Sequence, residues 1–114
     1  MEPTALRQSL RIYVGERNLH NGLPLWEALV LFLRRKHIAG ASAFTGTLAY
    51  GHTNMFPGSD EHLTRLSDDM PVMIEAVDYH ARIAEVLPDI IEMMGNKGLV
   101  TVSDVTVVHQ GKGH

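Results

Sequence analysis

Pro71-Val72-Met73-Ile74-Glu75-Ala76-Val77-Asp78 carries a strand, Val72 to Val77, that feeds directly into a helical run, Tyr79 to Met94. The chain says nearly the same thing earlier, where Leu10-Arg11-Ile12-Tyr13-Val14 leads through a turn into Leu25 to Arg35. A further strand follows each helix: Ser42 to Tyr50 in the first half, and the β-branched stretch Leu99 to Val108 in the second. Two strand-helix-strand halves specify an α+β sandwich of order βαββαβ, with four principal strands on one face and two helices on the other.

Working outward, each helical run carries one apolar face. Leu25, Leu29, Phe32 and Leu33 recur at i, i+4, i+7 and i+8, and Ile83, Val86, Leu87, Ile90, Ile91 and Met94 form the second stripe. Pro24 suits the first position of the first helix, Arg34, Arg35 and Lys36 suit its C-terminal dipole, and Gly40 marks the exit. Asp78 suits the N-cap of the second helix, and Pro88 is expected to kink or divide it. In Ser42 to Tyr50, bulky positions alternate with Ala43, Thr45, Thr47 and Ala49, a small face that fits under a helix or against another subunit. The turn from Arg17 to Gly22 is rich in breakers, and residues 52–69 show no period and read mostly as loop. Ser103-Asp104 reads as an interruption that leaves Val105 to His109 as the main part of the last strand.

A length of 114 residues predicts a single domain, 1–114, with a core over about 9–109 and a flexible tail over 110–114. Its core is small, so assembly would help it. The net charge is −3 and the basic residues do not gather into a stripe, which argues against a nucleic-acid partner. There is no cysteine, hence no disulfide framework and no thiolate chemistry. Met1 to Ala5 lacks the features of an export signal, and the apolar stretch Leu23 to Leu33 is too short for a bilayer, so the expected location is the cytoplasm.

The chemistry-bearing residues are sparse. None of the seven histidines pairs at i, i+4 on a helix, and no cysteine completes a zinc set. His52 and His62, with Asp60 and Glu61, could share a loop site, although solvated loop residues are the simpler reading. Asp68, Asp69, Glu75 and Asp78 flank one strand, but nothing supplies a nucleophile or an oriented base, and no catalytic residue is expected. Gly95-Asn96-Lys97-Gly98 is either a helix C-cap or a short turn whose N–H groups and lysine hold an anion. Trp26 and Tyr79 read as core or interface aromatics.

Four segments, taken in order, resemble the uncharacterised bacterial PII-like family, a domain of unknown function related to nitrogen regulatory PII proteins. They are Ile12 to Glu16, Gly40 to Gly51, Asp69 to Asp78 and Gly98 to Val105, and the match covers Ser9 to His109. The resemblance implies a ferredoxin-like subunit assembled as a homotrimer. It implies a small anionic ligand, with an adenine nucleotide as the leading cofactor candidate, in clefts between subunits. Carried onto this chain, the ligand-binding residues are Tyr50, Gly51 and His52 at the base of a long loop, and Gly95, Lys97 and Gly98 in the turn after the second helix. The 52–66 loop would meet a regulatory target, a membrane transporter or an enzyme. The chain departs from PII proteins where Gly98 runs straight into Leu99-Val100-Thr101 instead of a Gly-Asp-Gly-Lys run. Ala49 stands in place of a usual glycine, and the loop has no tyrosine to modify. These departures leave a triphosphate and a smaller, less charged ligand as equal alternatives. The expected role is non-enzymatic sensing, against a small metal- or anion-binding trimer as the alternative.

Overall fold

The computed structural model describes residues 7–46 and 70–111. Strand β1 (Arg7–Gly15) leads into a two-residue hairpin, β2 (Leu19–His20) and β3 (Leu23–Pro24), and then into helix α1 (Leu25–Arg35). Strands β4 (Ser42–Thr45) and β5 (Pro71–Tyr79), helix α2 (His80–Met94) and strand β6 (Leu99–Val105) complete the order. The main sheet runs β4-β5-β1-β6 with every neighbour antiparallel. This is the ferredoxin-like βαββαβ arrangement: each helix returns the chain so that its two flanking strands are parallel with one strand between them.

Period-2 alternation decides which side of the sheet is covered. Leu10, Ile12 and Val14 of β1 and Val72, Ile74 and Ala76 of β5 are buried beneath the helices. Against them pack Leu25, Ala28, Leu29, Phe32 and Leu33 of α1 and Ile83, Val86, Ile90 and Met94 of α2. Burying one such side chain is worth about 1.5–3 kcal/mol, so the two helical stripes supply most of the drive for sandwich formation. Ile91 was expected in the second stripe but is 57% exposed. It sits about 100° around the helix from Ile90, and Ile90 takes the inward position.

The register decides between the two readings of β4. Ala43 pairs with Ile74 and Thr45 with Val72, so the small residues lie on the helix side. Phe44 pairs with Met73 on the uncovered side and is half exposed. Strand β6 is also not interrupted at Ser103-Asp104: Ser103 pairs with Ser9 and Asp104 with Gln8, and the strand ends at Val105 instead of starting there. The ladder uses backbone groups, and Gln8 Nε2 donates to Asp104 Oδ1 at 3.1 Å, so polar residues are accommodated at this edge.

The breaker-rich turn folds into the β2–β3 hairpin. Asn21 and Gly22 both have positive φ, 51° and 86°, the combination that a two-residue hairpin turn matched to strand twist requires. Asn18 anchors its base: the buried side chain accepts the Gly15 N–H at 2.9 Å, and its carbonyl accepts from Leu25 N at 2.7 Å. Pro24 is the residue before the first helical turn, not within it. Helix α2 is not divided; Pro88 lies inside one element from His80 to Met94.

Asp78 does not cap α2 either. Its carboxylate accepts Tyr79 N at 2.6 Å and Ala39 N at 3.0 Å, and lies 3.7 Å from Arg82 Nε. Arg82 in turn donates to the carbonyls of Lys36 and His37 at 2.8 and 2.6 Å. One polar cluster thus ties the end of α1 to the start of α2.

Candidate functional site

The end of the sheet opposite that cluster gathers the parts of the expected site that are described. Gly15 pairs with Pro71, Gly46 N donates to the Pro71 carbonyl at 2.8 Å, and Glu16 N donates to Met70 at 2.7 Å. Segment 47–69 therefore leaves and rejoins the sheet here. Gly98 reaches the same end on the far side of β1, beside Tyr13 and Val14. With order β4-β5-β1-β6, the turn and the loop exit are separated by three strand spacings, roughly 14 Å. Tyr50, Gly51 and His52 lie outside the described residues, as do the 52–66 loop and the His52, Asp60, Glu61 and His62 set.

The glycine turn is described in full, and it is partly a helix terminus. Gly95 has φ 61° and its N–H still donates to Ile91 at 3.1 Å, while Lys97 N donates to Met94 at 3.0 Å. Two of the four turn N–H groups are thus spent on the helix. Those of Asn96 and Gly98 have no partner among the described residues. Gly98 has φ 76°, and a Cβ there would strike the Tyr13 carbonyl oxygen and come within 2.5 Å of the Met94 methyl. Glycine is needed at 98 because backbone lies against backbone. The helix dipole opposes an anion at this C-terminus, so Lys97, half-buried in the turn, is the group that could hold one.

The uncovered sheet face carries its own chemistry. Arg11 Nε donates to Glu75 Oε2 at 2.9 Å across a directly paired position. The Glu75 carboxylate first, then the Tyr13 hydroxyl, hold the Arg11 guanidinium above its ordinary pKa. Arg7, 7% exposed, stacks on the Tyr79 ring at 4.0 Å and donates to its hydroxyl and to Gln110. Sequence reasoning missed this pair, which depends on Arg7 and Tyr79 being register partners. Trp26 is partly buried against the core, as expected. Among the described residues, no three His, Asp or Glu side chains lie close enough together to hold a metal ion. No described helix is long and apolar enough to cross a membrane.

The family model DUF190, described as Uncharacterized ACR, COG1993, matches residues 7–107, which span every described helix and strand. The chain belongs to the DUF190 family. It is 33% identical over 98 residues to UPF0166 protein MJ1524 of Methanocaldococcus jannaschii, covering 86% of this chain and 88% of that one. A UPF0166 protein of Aquifex aeolicus is 27% identical over 103 residues, covering 90% and 94%. Among solved structures, this DUF190 chain is similar to CPII from Thiomonas intermedia K12, in a structure bound to ADP and bicarbonate. The TM-score is 0.53 at 19% identity, over 91% of this chain and 90% of that one. That likeness shows a shared PII-like fold.

Proposed function

We propose that this DUF190 protein is a non-enzymatic, cytoplasmic PII-like sensor, a homotrimer that binds a small anionic ligand between subunits and regulates a partner through its 52–66 loop. The observation that carries the reading is that the glycine turn and the exit of segment 47–69 lie at the same end of the sheet, in a fold shared with a protein solved with ADP. Lys97 and the N–H groups of Asn96 and Gly98 would take the anionic part of the ligand, an adenine nucleotide being the first candidate. Tyr50, Gly51 and His52 would contact the remainder, and Gly95 would let the chain turn.

Trimer formation is supported by the uncovered sheet face. Phe44, Met73, Val77 and Leu99 lie on the face away from the helices, Phe44 half exposed and the other three partly exposed. Such a face needs cover. The interface would use the Phe44 side of β4, not the alanine and threonine side.

The test has two arms. Light scattering should give three times the subunit mass, and a monomer mass at micromolar concentration would sink the assembly. Calorimetric titration with adenine nucleotides and simple dicarboxylates should show binding that Lys97→Ala weakens by about 1–3 kcal/mol, the range for a charge-assisted hydrogen bond. If nothing in that panel binds the parent protein, the sensor reading loses its support.

A further inference from the structure

We propose that the outer face of the helical layer holds a second ligand site, for a small zwitterion with an apolar body, an amino acid with a hydrophobic side chain being the fitting class. A cleft of about 490 Å³ opens between the β2–β3 hairpin, α1 and the C-terminal half of α2. That is within the usual range of roughly 300–1,000 Å³ for small-molecule sites. It shares no residue with the glycine turn.

Its floor is apolar: Phe32 and Ala28 are buried, and Leu31 and Met93 stand beside them. Leu23, on the hairpin, is 46% exposed and forms an apolar lip. Around this floor stand Arg35 from α1 and Asp89 and Glu92 from α2. Asp89 and Glu92 are three residues apart, which places them on one helix face. Charges of both signs line the cleft, yet none of the three makes an ion pair or a side-chain hydrogen bond among the described residues. A ligand with an ammonium group for the acids and a carboxylate for Arg35 complements both signs at once. Its apolar body would cover Leu31 and Met93. A simple anion would meet the two carboxylates, and a simple cation would leave Arg35 unanswered. His20 stands on the hairpin lip, its Nε2 3.4 Å from Asn21 Nδ2.

The experiment is calorimetric titration of the full chain with L-leucine, L-methionine and L-phenylalanine. Alongside run isoamylamine and 4-methylpentanoate, which are leucine without its carboxylate and without its amine. At least one amino acid should bind saturably, and removing either charge should weaken leucine-type binding by at least about tenfold, the worth of one charge-assisted hydrogen bond. Arg35→Gln, and Asp89→Asn with Glu92→Gln, should each cause a similar loss, with unchanged thermal midpoints because these side chains are exposed. Lys97→Ala should leave it untouched, which separates this site from the anion site. No saturable binding of any of the three amino acids would overturn the proposal. So would binding that is indifferent to the Arg35 and Asp89/Glu92 variants.

Discussion

Helices α1 and α2 stop on residues with the same φ, 61° at His37 and 61° at Gly95, yet the two ends are built differently. At the end of α1, Ile38 N donates to Leu33 and His37 N to Arg34, at 3.1 and 3.0 Å. This is a Schellman closure, with buried Ile38 against buried Leu33. Arg82 then covers the last carbonyls. At the end of α2 no described side chain covers the carbonyls, and the turn runs glycine to glycine with Lys97 between. The first end is over-determined, so it tolerates a left-handed histidine. The second is held by close backbone approach at Gly98 and leaves two N–H groups and a lysine uncommitted. An end with spare donors can serve a ligand; an end that has closed on itself cannot.

The sharpest way to break this contrast is Gly98→Ala. Positive φ and overlap with β1 should together cost about 2–4 kcal/mol in urea unfolding. A neutral result would mean that Gly98 is free to move, and that the turn is not pinned to the sheet. Next is the clamp at the other end. Asp78→Ala removes the acceptor for Ala39 and Tyr79 N–H groups and should cost about 1–3 kcal/mol by the same measurement. Asp78→Asn, which keeps an acceptor oxygen, should recover part of the loss.

Swapping the terminal residues sharpens the comparison. His37→Gly should stabilise by about 0.5–1 kcal/mol, and Gly95→Ala should destabilise by about 1–3 kcal/mol, because Gly95 at φ 61° and ψ −122° lies outside the left-handed helical region that other residues can reach. A Cβ at 95 meets nothing within 4 Å, so the Gly95 effect isolates backbone strain from packing. Equal thermal midpoints for parent and His37→Gly would show that the Schellman closure already absorbs the strain. The smallest expected change in stability is that of Lys97→Ala, under about 0.5 kcal/mol, as for most surface substitutions. Lost stability with unchanged ligand response would reduce the turn to a helix cap.

How much of this was legible differs by element. Helix α1 was readable to its observed bounds, Leu25–Arg35, because four apolar residues at helical spacing lie between a proline and a basic run. Strand β5 was readable from alternation, one or two residues short at each end. Strand β6 was misread because Ser103 and Asp104 look like turn residues, whereas pairing with β1 supplies the backbone bonds that override local preference. The glycine turn stood out as a candidate by its residue types and by the family resemblance, but a string of letters cannot say which N–H groups the helix has already taken. The cleft between the hairpin and the two helices left no sequence signal, since Arg35, Asp89 and Glu92 lie far apart along the chain.

By itself, then, the order of apolar periods determined a βαββαβ sandwich, its two helical stripes and the family resemblance. Local spacing decides which residues can share a face, and that is enough to choose the architecture. Tertiary structure alone decided the β4 register that turns Phe44 outward, the pairing of Arg7 with Tyr79, and the bridge from Asp78 and Arg82 to the end of α1. These depend on which strand lies beside which and at what offset. A shift of one residue in pairing reverses every face, and only the summed packing of both helices on the sheet selects among the offsets.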